Sequence, residues 1–167
     1  MSEHNPYDAP SATVADIDTQ QVVLADRGMR LVAAIIDGLL LLAVLVPTMF
    51  LGGYVSSILA GVEPSFLTQL QWGVIGFLIL LVIQGFPLYS TGQTWGKKAL
   101  GMKIVDLQGN KPEFGRLIAL RYLSTQVIAM IPVVGVIYGF VDALFIFGSD
   151  RRCLHDKIAG TRVVLAR

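Results

Sequence analysis

Three long apolar stretches dominate this sequence. The first runs from Leu31 to Leu51 and the second from Trp72 to Tyr89. Each is close to the roughly 20 residues that a helix needs to cross the hydrocarbon core of a bilayer. The third runs from Leu117 to Phe147, which is too long for one ordinary span. The stretches predict an all-α integral membrane protein.

The composition agrees with a membrane environment. Hydrophobic residues make up 54% of the chain and charged residues 15%, whereas a soluble domain usually carries about 25% charged residues. The formal net charge of +1 leaves no excess positive charge to attract nucleic acid. The single cysteine, Cys153, excludes an internal disulfide and a cysteine-rich metal site. We therefore expect the lipid bilayer as the surroundings of this chain and no nucleic-acid partner.

Pro132 lies near the middle of the third stretch. Proline removes a helical hydrogen bond and clashes with the preceding turn, so it kinks or ends a helix. A division at Pro132 gives two short helices, at about 114–131 and 133–147. The alternative is one long span with a kink.

The basic residues of the loops distinguish these alternatives. Lysines and arginines are concentrated in the loop 90–113 and the C-terminal segment 148–167, whereas the loop 52–71 contains neither. The positive-inside rule places both basic segments in the cytoplasm, which requires an even number of crossings between them. We therefore predict a four-transmembrane-helix bundle with both termini in the cytoplasm. Its helices are predicted at about 31–51, 72–89, 114–131 and 133–147.

The remaining segments are expected on the cytoplasmic side. The tail 1–26 is polar and slightly acidic, which predicts disorder, and residues 27–167 form the transmembrane domain. Lys103–Leu107 and Thr161–Leu165 are two β-prone runs, the first followed by a turn signal. They predict a small cytoplasmic β-hairpin or sheet that ties the C-terminus to the central loop.

Two motifs that suggest chemistry do not fit their patterns. Three residues separate Gly92 from Gly96, whereas a phosphate-binding loop has four between its glycines. His155 and Asp156 are interpreted as a surface pair, because one histidine beside one cysteine does not supply the ligand set of a metal. Since no serine or cysteine has an evident histidine base, we expect no enzymatic activity, catalytic residue, cofactor or metal.

Several charged and polar residues fall inside the predicted spans. An unpaired charge there costs at least about 2.5–3.5 kcal/mol, so such residues normally face partners or water. Counted from the cytoplasmic ends, Asp37, Gln84, Arg121 and Asp142 lie at similar depth, one on each helix. Arg30, at the start of the first helix, is expected to extend its side chain to the interface.

The depth-matched residues have two interpretations. In the structural interpretation, Arg121 neutralises Asp37 and Asp142, Gln84 supplies hydrogen bonds, and the cluster holds the bundle together. In the functional interpretation, the two carboxylates form a cation or proton site that opens to the cytoplasm, and Arg121 shifts their pKa values.

These residues resemble the RDD family of bacterial membrane proteins, named for one arginine and two aspartates. Arg30 and Asp37 of RLVAAIID match its first motif, and Arg121 of LIALRYL matches a later one. The segments TGQTWGKKALGMKIVDLQG and LHDKIAGTRVV also match, and Asp156 corresponds to the second aspartate, with Asp142 as the alternative. One departure is Gln93-Thr94, where the family often has proline. The resemblance implies a multi-pass protein of the bacterial inner membrane. It implies little about activity, although transport of unidentified ligands has been proposed for the family.

Two hypotheses for the function follow. The first is a small transporter or ion/proton exchange component, a homo-oligomer that binds a small cation or proton at its intramembrane carboxylates. The second is an accessory or assembly protein that packs against a larger membrane-protein partner. Gly135 and Gly139 form a GxxxG pattern, which permits such close helix packing.

Overall fold

The computed structural model describes residues 23–131 and 133–166. The division at Pro132 and the tail 1–22 lie outside the described residues. Within them the chain is mostly helical and contains one small antiparallel sheet of two strands.

Two long apolar helices form the framework of the fold. Helix α1 spans Arg27–Leu51 and helix α3 spans Phe66–Thr91, with the short α2, Tyr54–Leu59, between them. At 1.5 Å per residue each long helix measures roughly 38 Å, which exceeds the hydrocarbon thickness of a bilayer. Of the described helices, these two are long and apolar enough to cross a membrane by themselves. Both begin several residues before the predicted stretches.

The remaining helices are shorter. Helix α4 spans Trp95–Ala99, and a further helix over residues 114–129 joins α5 (Phe114–Leu117), a π-helical segment (Ile118–Leu123) and α6 (Ser124–Ala129). Helix α7 spans Val134–Leu144 and ends in a 3₁₀ turn at Phe145–Phe147, and α8 spans Leu154–Ala159. The 114–129 helix and α7 pack against each other as a hairpin in the region of the long third stretch.

The two predicted strands pair with each other. Strand β1, Met102–Asp106, and strand β2, Thr161–Leu165, run antiparallel, with Ile104 opposite Val163. Both residues are buried, and Met102 and Leu117 are buried in the same cluster. The sheet predicted from the β-prone runs is therefore confirmed.

Residues 23–26 are ordered, although the sequence assigns them to a disordered tail. Leu24 forms a β-bridge with Val164, and the backbone N–H of Ala25 donates to the Val163 carbonyl at 3.1 Å. Ala25 is fully buried, because its small side chain packs into the core beneath the sheet. The approach to α1, the central loop and the C-terminal segment thus meet at one end of the molecule.

The outer faces of the long helices are apolar and exposed. Val82 and Phe86 on α3 are 83% and 71% exposed, and Leu31 on α1 is 62% exposed. The buried set instead includes Arg30, Gln84, Arg121 and Asp156. Apolar residues on the outside and charges on the inside invert the pattern of a soluble protein and suit a chain surrounded by lipid.

Candidate functional site

Asp156 is a fully buried carboxylate that joins three parts of the chain. It lies in the first turn of α8, and Arg30 on α1 places Nη2 2.5 Å from its Oδ2. Arg121, on the 114–129 helix, pairs with its Oδ1. Arg121 Nη1 also donates to Thr161 Oγ1, at the start of β2, at 2.8 Å. We call these four residues the Asp156 cluster: Arg30, Arg121, Asp156 and Thr161. Its charged groups pair with one another.

Local backbone structure and hydrogen bonds orient the three charged side chains of the Asp156 cluster. Arg121 lies in the π-helical segment, a distortion that shifts the direction of side chains relative to a regular helix. Asp156 caps its own helix, because its Oδ2 accepts from the backbone N–H of Cys153 at 3.1 Å. Arg30 further donates to the Arg151 carbonyl and, at 3.4 Å, to Cys153 Sγ. The chain just before α8 is thereby fixed to α1.

The charges of the cluster keep Asp156 ionised. Burial alone would raise the pKa of this carboxyl, but Arg121, His155 and Arg30 hold the pKa well below its usual range. Buried ion pairs of this kind contribute little net stability but are costly to break. The cluster therefore has the character of a structural joint.

Asp37 belongs to a second set of contacts, about two helical turns further along α1 than Arg30. Its Oδ1 accepts from the backbone N–H of Gly96 at 2.7 Å and from Gln84 Nε2 at 3.0 Å. Its Oδ2 accepts from Thr94 Oγ1 at 2.5 Å and lies 3.8 Å from Lys97 Nζ. One carboxylate thus connects α1 to α3 and to α4.

The loop that begins α4 is shaped for this contact. Gly92 ends α3 in the left-handed conformation, with φ of 68°, which glycine adopts without strain. Thr94 then caps α4, accepting from the backbone N–H of Lys97 at 3.3 Å. A Cβ on Gly96 would collide with the Ala33 carbonyl, so glycine permits the close approach of α4 to α1.

Asp142 and His155 form a third set of contacts. His155 Nδ1 lies 2.7 Å from Asp142 Oδ2, and the backbone N–H of His155 donates to Asp142 Oδ1 at 2.7 Å. Burial lowers the pKa of His155 and Arg121 lowers it further, although Asp142 opposes the shift. The neutral imidazole is therefore favoured, and it donates from Nδ1 to the carboxylate, which can only accept.

A cleft of about 370 Å³ lies between these elements. Asp37, Lys97, Arg121, Asp142 and His155 all line it, and Ala34, Leu41, Leu80 and Ile83 provide apolar wall. This volume is at the small end of the range for ligand sites. A larger cavity of about 400 Å³, near Tyr54 and Trp72, carries a single acidic residue, Glu63. The ionisable lining of the first cleft makes it the stronger candidate for a site.

The ion pairs of Arg121 with Asp37 and Asp142, expected in the structural interpretation, are wrong. The structure nevertheless brings the depth-matched residues together. Asp37, Gln84, Arg121 and Asp142 all line the one cleft, and Gln84 does hydrogen-bond Asp37. Arg121, however, pairs with Asp156 instead of neutralising Asp37 and Asp142. The reason is that α8 folds back beneath the helices and brings a closer carboxylate.

Two further expectations about single residues are wrong. Arg30 is only 7% exposed and binds Asp156, so its side chain turns inward and does not extend to the interface. His155 and Asp156 are not a surface pair, since Asp156 is fully buried and His155 bonds Asp142. Both differences come from α8, which packs against the helical bundle and buries Asp156 and Ala159.

Sequence reasoning missed three side chains that contact the carboxylates of Asp37 and Asp142. Thr94 and Lys97 follow the glycine that ends α3, and a threonine in that place is a signal for the N-cap of a new helix. His155 is also missed, because contact with Asp142 depends on the turn between α7 and α8. No periodic signal in the sequence reports that turn.

Among the described residues, one group of side chains could hold a metal ion. The ligand atoms of Asp142, Cys153 and His155 all lie within 4.8 Å of one another. A thiolate is needed to bind a metal, and burial raises the pKa of the Cys153 thiol to about 11. His155 and Asp142 already satisfy each other, so the group fits a closed hydrogen-bonded contact better than a metal centre.

Comparisons with known proteins cover most of the chain. The model of the RDD family matches residues 24–160. An uncharacterised protein of Haemophilus influenzae is 35% identical over 96 residues, which cover 55% of this chain and 57% of the relative. The match thus spans little more than half of the relative's length. No solved structure matches the chain. The family match contains every charged residue of the Asp156 cluster and of the cleft.

Proposed function

The chain belongs to the RDD family, and we propose that it is a small exchanger that carries a monovalent cation against protons across the bacterial inner membrane. The cleft between the helices is the proposed site. Asp37 and Asp142 are its cation- and proton-binding carboxylates, and the Asp156 cluster supports it structurally.

The proposal includes four transmembrane helices with both termini in the cytoplasm. Three chain segments meet in one sheet region: residues 24–25, strand β1 and strand β2. Segments on the same side of a membrane must be separated by an even number of crossings. Helices α1 and α3 supply two crossings between the first and second segments. The 114–129 helix and α7 supply two between the second and third. The positive charges of the loops support the same topology.

The observation that carries the proposal is the lining of the cleft. Asp37 and Asp142 both face it, while Arg30 and Arg121, the arginines that are buried among the described residues, both pair with Asp156. Asp37 and Asp142 are therefore not neutralised by an arginine. Carboxylates inside a membrane protein normally face partners or water and mark ion and proton pathways. A cleft of about 370 Å³ has room for a small hydrated cation.

A flux assay in proteoliposomes tests the function. The purified protein is reconstituted with a pH-sensitive dye inside, and Na⁺ or K⁺ is added outside after a proton gradient is imposed. We expect cation-dependent proton movement, and we expect Asp37→Asn and Asp142→Asn to reduce it at least about tenfold, since either change removes a carboxylate from the site.

Asp150→Asn is the matched control. Asp150 lies in the segment between α7 and α8 and does not line the cleft. Its Oδ2 lies 3.1 Å from Lys157 Nζ, and both side chains are exposed. This variant should keep the wild-type flux. Wild-type protein that moves no protons with either cation would overturn the exchanger, and unchanged flux in both cleft variants would remove these carboxylates from the mechanism.

A further inference from the structure

The cleft is the first of three cavities that follow one another along the bundle. A groove of about 360 Å³ comes next, and Ala129 lines both the groove and the cleft. The cavity of about 400 Å³, which we call the outer cavity, shares Tyr54 and Trp72 with the groove. Shared wall residues therefore connect the cleft, which holds Asp37, to the loop between α2 and α3, which holds Glu63.

One face of the 114–129 helix carries polar groups from the cleft toward this groove. Beyond Arg121, the residues of the helix that line the cleft recur every three or four positions, which places them on one face: Tyr122, Thr125, Gln126 and Ala129. Val127 is 54% exposed and lies outside this lining. Polar side chains on a membrane helix normally face partners or water, so this face suits a water-filled route.

Gly73 on α3 contacts this face of the 114–129 helix between the cleft and the groove. Gln126, in the cleft lining, donates from Nε2 to the Gly73 carbonyl at 3.4 Å. Met130 lines the groove beside Gly73, and a Cβ on Gly73 would lie 2.8 Å from Met130 Cε. The contact thus consists of a long hydrogen bond and the end of a flexible, unbranched side chain. It can open by a change of side-chain rotamer, without movement of a whole helix.

The outer cavity is suited to cations. The proposed topology places its loop outside, and the loop 52–71 contains no lysine or arginine, while Glu63 lines the cavity. The rings of Tyr54 and Trp72 lie in the same wall with centroids 5.3 Å apart, and aromatic faces attract cations. A mouth lined by charge of one sign raises the local concentration of ions of the other sign. This cavity therefore attracts the class of ion that the exchanger is proposed to carry.

We propose that the outer cavity is the external entrance for the cation, and that the contact of Gly73 with Gln126 and Met130 is the gate between this entrance and the cleft. This inference rests on the proposed exchange function and names the route by which its site meets the outside. When the Met130 side chain moves away from Gly73, the groove joins the cleft. The cation then passes along the polar face of the 114–129 helix to Asp37.

Reaction of introduced cysteines with a charged thiol reagent tests the route. Thiols react as thiolates, which form in water and not in lipid, so an impermeant trimethylammonium thiosulfonate marks positions on an aqueous route. Added to intact cells, it should modify Ala129→Cys at least about tenfold faster than Val127→Cys, the matched control on the exposed side of the same helix. Equal rates at the two positions would overturn the route.

The gate is tested by adding Met130→Ala to Thr125→Cys. Position 125 lies on the cleft side of the gate, so the reagent should reach it from outside several-fold faster once the Met130 side chain is shortened. Ala129→Cys, which lines the groove, should react at the same rate with or without Met130→Ala and controls for a general loosening of the fold. An unchanged rate at position 125, or equal increases at both positions, would overturn the gate.

Glu63→Gln tests the entrance. Loss of one negative charge should slow the cationic reagent at Ala129→Cys about twofold at low ionic strength, whereas an anionic thiosulfonate should not be slowed. Equal effects on the two reagents would overturn the entrance at Glu63.

The flux assay separates this inference from the exchange function. Wild-type protein without flux in vesicles would contradict the exchanger, while a reactive position 129 would still support the aqueous route. Wild-type flux together with an unreactive position 129 would overturn the route and leave the exchanger in place.

Discussion

Arg30 Nη2 lies 2.5 Å from Asp156 Oδ2, although 126 residues separate them in the chain. Arg121 binds the other oxygen of the same carboxylate. Asp156 is therefore the ion-pair partner of both Arg30 and Arg121, which are buried at this end of the molecule. Because it does so, the direct partners of Asp37 and Asp142 among the described residues are a lysine, a histidine and neutral donors. The fold thus separates charges that hold it together from charges that can serve a ligand.

The first prediction concerns Asp156→Asn. The change leaves Arg30 and Arg121 buried without a carboxylate, and breaking a buried ion pair typically costs about 3–5 kcal/mol. We expect a marked fall in the thermal unfolding midpoint of the detergent-solubilised protein. Asp150→Asn, which removes the exposed pair with Lys157, should change the midpoint little. Equal midpoints for the two variants would contradict the structural role of the Asp156 cluster.

The second prediction concerns Gly96→Ala. The added Cβ would collide with the Ala33 carbonyl and lie 3.0 Å from the Asp37 carboxyl, so α4 must move away from α1. We expect a lower unfolding midpoint and a loss of cation binding, because the Gly96 N–H no longer holds Asp37 Oδ1. Gly85→Ala on α3 is the control, since a Cβ there meets nothing within 4 Å. Wild-type binding in Gly96→Ala would show that the close contact is not needed.

The local features of the sequence predicted much of this fold. The apolar stretches located α1 and α3, and the β-prone runs located β1 and β2, because each depends on residues adjacent in the chain. Depth counting also brought Asp37, Gln84, Arg121 and Asp142 to one cleft. The partners of the charges could not be found this way. They depend on α8, a helix of six residues whose position is set by long-range packing against Arg30 and Arg121.

The third prediction concerns pH and His155. Its pKa in the folded protein is lowered, first by burial and then by Arg121, so the folded state favours the neutral ring. In the unfolded chain His155 binds its proton at the ordinary pKa of about 6.5. Above that pH, His155 therefore makes its whole contribution to the free energy of unfolding. It is lost as the pH falls through the folded pKa. Between about pH 7 and pH 5.5 the wild-type unfolding midpoint should therefore fall more steeply than that of His155→Gln. A midpoint of the wild type that rises relative to His155→Gln on acidification would indicate a charged pair with Asp142 instead.

The last prediction tests the four-helix topology through accessibility. Single cysteines are introduced at Glu63, in the loop between α2 and α3, and at Lys111, in the loop after β1, and intact cells are treated with a membrane-impermeant thiol reagent. Cys153 is 8% exposed and should react slowly in both variants, so it serves as an internal background. We expect the cysteine at position 63 to react in intact cells, because its loop carries no lysine or arginine and lies at the far end of α1 and α3 from the sheet. The cysteine at position 111 should react only after the cells are permeabilised, since strand β1 pairs with β2 among the basic segments. Reaction of both positions from the same side would mean that an even number of crossings separates them. That result would contradict α1 and α3 as a transmembrane pair, since α3 alone lies between the two positions.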